Sequence, residues 1–115
     1  MPNPVIHFEI LGQDGKQLQD FYRKVFDWHV NADNPMNYGV VDTHTDRGIG
    51  GGIGPAQERP GYVTVYVQVD DLASYLKKAE SLGGKTIMAP TEIPDMVTLA
   101  MFSDPEGNII GLIKD

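Results

Sequence analysis

The strongest chemical signal lies near the start of the chain, where His7 and Glu9 stand two residues apart in Val5-Ile-His-Phe-Glu-Ile-Leu11. Apolar and polar residues alternate here, so an extended backbone puts both on one face. An imidazole beside a carboxylate has three uses: a hydrogen-bonded group that orients structure or ligand, a general acid/base, or a metal ligand. A carboxylate on an inward face needs a partner. For Glu9 that partner is a cationic ligand, a water network or His7 itself. A second alternation, over 62–69, places Tyr62, Thr64, Tyr66 and Gln68 on one face. Tyrosines there either pack or offer flat surfaces to a ligand.

Other patterns read as ordinary structure. Asp42-Thr-His44-Thr-Asp46 alternates metal-capable residues, but polar hairpins use the same types to make turns. His29, beside Trp28, reads as local packing. The run Gly48-Ile-Gly-Gly-Gly-Ile-Gly-Pro55 fits neither phosphate-binding glycine pattern and precedes no helical periodicity. Its glycines predict a sharp bend or the close approach of another surface. No G-x-S-x-G or H-E-x-x-H occurs, so serine hydrolase and metalloprotease chemistry have no anchor. With no cysteine, thiol nucleophiles, disulfides and thiolate metal sites are excluded.

These side chains must be held by regular elements. Ile6, Phe8 and Ile10 supply the apolar face of a first strand. Asp14 is a predicted N-cap for a helix whose inward residues are Leu18, Phe21, Tyr22, Val25 and Phe26, with Lys16, Gln19, Asp20, Arg23 and Lys24 facing water. Short strands follow at 28–32, 37–41 and 49–53. Residues 57–61 read as a linker. The order then repeats: a strand over 62–69 with Val63, Val65, Val67 and Val69 on its apolar face, and a helix capped by Asp70 or Asp71. That helix turns Leu72, Tyr75, Leu76, Ala79 and Leu82 inward and ends at Gly83-Gly84. Strands are predicted at 86–88, 96–102 and 108–113, with a tight turn at Asp104-Pro-Glu-Gly-Asn108 joining the last two.

A slide of 57 positions superposes the halves, putting His7 on Thr64 and Glu9 on Tyr66. This predicts an α+β fold in one domain, 1–115, built of modules 1–56 and 57–115. Each module is too small to bury its own sheet alone. The mixed strand faces would line a cleft between two half-sheets, a natural small-molecule site. The chain has 115 residues, 41% hydrophobic and 22% charged, with formal net charge −7 and a pI near 4.7. Such acidity argues against binding a phosphate backbone, and no apolar run approaches a membrane span. The first residues lack a basic start and an apolar stretch, so a cytoplasmic location is expected.

Five stretches resemble the vicinal oxygen chelate superfamily, which includes glyoxalase I, extradiol dioxygenases, fosfomycin resistance enzymes and bleomycin-resistance proteins. They are His-Phe-Glu-Ile at 7–10, Asp-Phe-Tyr-Arg-Lys-Val-Phe-Asp-Trp at 20–28, Val-Asp-Asp-Leu at 69–72, Leu-Gly-Gly at 82–84 and Phe-Ser-Asp-Pro-Glu-Gly-Asn at 102–108. The resemblance implies two tandem βαβββ modules whose curved mixed sheets form half-barrels. It also implies metal ligands on the first and last strands of each module, typically His or Gln and Glu. Carried over, those positions fall on His7, on Thr64, on Gly111 and within Gly50-Gly51-Gly52. One ligand of four is retained, whereas a divalent metal needs about three. The resemblance therefore implies a glyoxalase-like protein that binds a small molecule with no cofactor, any divalent metal having His7 alone as a retained ligand. If it is an enzyme, of lyase or dioxygenase type, His7 and Glu9 are the acid/base pair, and Tyr62, Thr64, Tyr66 and Gln68 hold the substrate. The alternative is a non-catalytic module sequestering a cationic drug-like ligand, as bleomycin-resistance proteins do. A small-molecule ligand and a homodimeric partner are expected, with no nucleic acid and no membrane.

Overall fold

Alternation over the first residues produces a strand, β1 (Val5–Gly12). Asp14 then caps α1 (Gly15–Phe26), its side chain accepting from the Gln17 N–H at 3.0 Å. Three short strands complete the first module: β2 (His29–Asn31), β3 (Gly39–Asp42) and β4 (Gly51–Pro55). The second repeats the order with β5 (Tyr62–Val69), α2 (Leu72–Ser81), β6 (Lys85–Ile93), β7 (Val97–Ser103) and β8 (Ile109–Lys114). The computed structural model describes residues 2–56, 60–94 and 96–114, so residues 57–59 of the predicted linker lie outside the described residues. Contacts divide the chain into two units, Ile6–Thr64 and Met1–Val5 with Val65–Asp115.

In the first unit the strands run in the order β2-β3-β4-β1. β1 lies parallel to β4, with Phe8 opposite Gly51 and Glu9 opposite Gly52. β4 pairs antiparallel with β3, and β3 with β2. Val30, Val41 and Ile53 form the core under α1, with Phe8, Ile10, Leu18, Tyr22 and Trp28 packed against them. In the second unit the order is β5-β8-β7-β6. Tyr66 of β5 lies opposite Gly111 of β8 in a parallel ladder. Its core is Val69, Leu72, Leu76, Ala100 and Leu112. Asp71, not Asp70, is the N-cap of α2, accepting from the Ser74 N–H at 3.2 Å. The predicted tight turn is present: Asp104 accepts from the N–H groups of Glu106 and Asn108 and from the Asn108 side chain, each at 2.9 Å.

Several expected faces are corrected. Gln19, assigned to the wet side of α1, is buried, whereas Phe21, Val25 and Phe26, assigned inward, are more than half exposed. The inward stripe is Gly15, Leu18, Gln19 and Tyr22. It is rotated toward Gln19 because that amide reaches two backbone carbonyls of the sheet side. Val63 is exposed because the β5–β8 pairing starts only at Tyr66 and the α2 core reaches only Val67 and Val69. Leu82 is exposed because it is the C-cap residue, where the chain turns into the left-handed Gly83. β6 is nine residues rather than three. Two register irregularities between Thr86 and Thr91 let it continue through Pro90. No helix among the described residues is long and apolar enough to cross a membrane.

Candidate functional site

β1 presents His7 and Glu9 on one face, as the alternation requires. Between them sits a residue that the sequence reading placed only as part of a strand. The Tyr38 hydroxyl donates to Glu9 Oε2 at 2.9 Å and lies 2.8 Å from His7 Nε2. The two rings are stacked, 17° from parallel. With the hydroxyl hydrogen directed to Glu9, the complementary imidazole tautomer carries its proton on Nε2 and donates to the Tyr38 oxygen. Glu9 is buried, and burial alone holds the His7 pKa below its ordinary value of 6.5. A neutral imidazole, a phenol and a buried carboxylate are thus joined in one relay.

Tyr38 is placed by the turn before β3. The Asn34 side chain takes its backbone at both ends: Nδ2 donates to the Tyr38 carbonyl at 2.7 Å, and Oδ1 accepts from the Tyr38 N–H at 3.0 Å. Gln19 Nε2 donates to the carbonyl of the preceding residue, Asn37, at 3.0 Å and to that of Ile53 at 2.7 Å. No local motif marks Tyr38, because its partners lie 31 and 29 residues away. The Asn34-Pro35 pair signals a turn in the sequence, but not where the loop points.

In the glycine-rich strand the expected close approach of another surface is present: a Cβ at Gly52 would collide with the Tyr38 ring and hydroxyl. At Gly111 a Cβ would collide with the ring of Tyr66. The two positions are equivalent, since Glu9 opposes Gly52, Tyr66 opposes Gly111, and Glu9 and Tyr66 are 57 residues apart. Each module therefore covers the same ladder rung with a tyrosine.

That observation tests the metal the family implies. Of the four ligand positions, two are glycines under tyrosine rings, and Thr64 is a buried hydroxyl. The fourth, His7, is engaged with Tyr38. Among the described residues no group of three or more His, Cys, Asp or Glu is placed to hold a metal. Among the described residues, those at the family's ligand positions do not fit a divalent ion.

The remaining candidates are placed as follows. Tyr62 is half-buried and Thr64 buried, both in the first unit. Tyr66, buried, and Gln68, half-buried, belong to the second. Gln68 uses its backbone to pair with Pro4 and Asn3. His29 and His44 meet edge-on at 5.3 Å, with the His44 N–H bonded to Asp42, as turn chemistry predicts.

Comparison with known proteins bears on the fold and the family. The family model described as Glyoxalase/Bleomycin resistance protein/Dioxygenase superfamily matches residues 5–112. CFP32 of Mycobacterium bovis, which bears a glyoxylase name, is 35% identical over 80 residues, 69% of this chain and 30% of the relative. The anthracycline biosynthesis protein DnrV of Streptomyces peucetius is 25% identical over 123 residues, 92% of this chain and 45% of the relative. The chain thus spans less than half the length of either. Among solved structures, a superfamily member from Vibrio splendidus has a TM-score of 0.65 at 18% identity, covering 99% of this chain and 100% of that one. Methylmalonyl-CoA epimerase from Mycobacterium tuberculosis has 0.66 at 14% identity, covering 96% and 86%. These likenesses in fold and the family match across nearly the whole chain have one reading: the chain belongs to the Glyoxalase/Bleomycin resistance protein/Dioxygenase superfamily.

Proposed function

We propose that this chain binds a small organic molecule at the His7–Tyr38–Glu9 group and does so without the divalent-metal chemistry of metal-dependent relatives. The observation that carries the reading is the Tyr38 hydroxyl held between imidazole and carboxylate while its ring covers Gly52. Such a group recognises a carbonyl or hydroxyl by exchanging one of its internal hydrogen bonds for one to the ligand. If the bound molecule is turned over, His7 and Glu9 are the acid/base pair, with Tyr38 carrying the proton from the imidazole side to the carboxylate. Calorimetric titration with 1-phenyl-1,2-propanedione, a neutral aryl dicarbonyl, tests this. Binding by the parent protein that weakens on the order of tenfold in Tyr38→Phe, the loss of about one hydrogen bond, supports it. Equal binding by parent and variant overturns it.

A second reading is favoured by the buried Glu9 carboxylate in a chain of net charge −7 and by the similarity to DnrV. Here the ligand is a cationic aromatic molecule, an amino-sugar-bearing anthracycline being the first to try, and Glu9 is its counter-ion. Fluorescence titration separates the two. This reading requires that the anthracycline bind more tightly than the dicarbonyl and that Glu9→Gln abolish the preference.

A further inference from the structure

We infer that Asn34 and Gln19 are positioning residues, a clamp that holds Tyr38 in the space the family gives to a metal ligand. The inference goes beyond the ligand reading and does not need a ligand to be tested. Five polar contacts carry it. Asn34 grips Tyr38 from both sides of its backbone, donating to its carbonyl at 2.7 Å and accepting from its N–H at 3.0 Å. The same Oδ1 accepts from the Met36 N–H at 3.2 Å, so the whole turn is wound on one side chain. Gln19, buried at 4% exposure, ties the Asn37 carbonyl to that of Ile53 through one amide nitrogen. Ile53 follows Gly52, the residue under the Tyr38 ring. The clamp therefore connects the turn that carries Tyr38 with the strand that Tyr38 covers. Asn37 adopts a left-handed φ of 53°, a conformation asparagine tolerates better than most residues.

An ordinary turn needs no such arrangement. A loop that only connected β2 to β3 would be served by Asn34 capping its own turn. Here a helix side chain spends its burial on the loop carbonyl one residue before Tyr38, and the product is one phenol oxygen placed within hydrogen-bond reach of two β1 side chains. Without the clamp Tyr38 keeps its chemistry but loses its address.

Fluorine NMR on protein made with 3-fluorotyrosine decides the matter, because the chain has five tyrosines and Tyr38→Phe assigns the resonance of interest. In Asn34→Ala the Tyr38 resonance is expected to move most of the way to that of free 3-fluorotyrosine while the other four stay in place. Asn34→Asp retains the Oδ acceptor for the Tyr38 N–H but loses the Nδ2 donor, so its resonance is expected at an intermediate position. An unmoved Tyr38 resonance in folded Asn34→Ala overturns the inference. If Asn34→Ala does not fold, Asn34→Asp decides: a displaced Tyr38 resonance supports the clamp and an unmoved one overturns it. Gln19→Glu, which removes the amide donor, is judged in the same way. Failure of the dicarbonyl and anthracycline titrations would leave this outcome untouched.

Discussion

The burial of His7 has a consequence for stability that does not depend on any ligand. Its folded pKa lies below 6.5 because burial penalises the charged imidazole. As pH falls through 6.5 the unfolded chain takes up this proton before the folded one does. Folding therefore loses stability from His7 over that window and stops losing it once the folded-state pKa is passed. The slope cannot exceed about 1.4 kcal/mol per pH unit, the value for one proton. Urea denaturation of the parent and of His7→Gln, from above 6.5 to well below it, should show the parent losing ground to the variant as the solution is acidified. Parallel curves would mean that His7 titrates alike in both states. That His7 and Glu9 share one face of β1 was legible from spacing alone. Tyr38 was not, since no short-range pattern reports that a loop residue will return to a strand 29 residues earlier.

At the scale of elements, α1 shows what periodicity can and cannot reveal. The spacing of Leu18, Phe21, Tyr22, Val25 and Phe26 correctly announces a helix, and Asp14 correctly announces its start. The stripe that faces the sheet includes a polar residue, Gln19, whose removal from it would cost the Ile53 and Asn37 carbonyls a donor. Hydrophobic patterning assigns Gln19 to water and has no term for that cost. A contrast between two variants follows. Gln19→Leu leaves the Ile53 and Asn37 carbonyls without this donor and should destabilise by about 1–3 kcal/mol, the penalty for unsatisfied buried polar groups. Phe21→Ser, on the exposed stripe with an edge contact to Tyr22, should cost less, about 1 kcal/mol or under. Thermal and urea unfolding of both variants checks the ranking, and the reverse order would restore the stripe that periodicity favours. The same blindness explains β6: a strand carrying Pro90 looks terminated in sequence, but two irregular steps in its ladder let it run on.

At the scale of the whole molecule, duplication was the most legible property, because strand, cap and helix recur at a fixed offset: β1 and β5 both span eight residues, and α1 and α2 both begin directly after an aspartate cap. What the repeat hid is that the two modules cover one equivalent rung by different routes. In the first, a tyrosine from the 34–38 turn lies over Gly52; in the second, a tyrosine on β5 lies over Gly111. Glycine is required at both because a single methyl group would occupy ring space, so the ligand positions cannot regain a side chain unless the tyrosine leaves. This predicts a coupling that can be measured. Gly52→Ala alone should overpack the rung and cost about 1–3 kcal/mol. Tyr38→Ala alone should remove the relay and leave a void above Gly52. In the double variant the alanine methyl enters the vacated space, so the cost of Gly52→Ala should largely disappear, giving an interaction energy of at least about 1 kcal/mol by a double-mutant cycle. The parallel cycle at Gly111 and Tyr66 should behave alike. Additive costs would show that these glycines are needed for the bend of their strands, and the tyrosines would then be neighbours of the lost ligand positions, not their replacements.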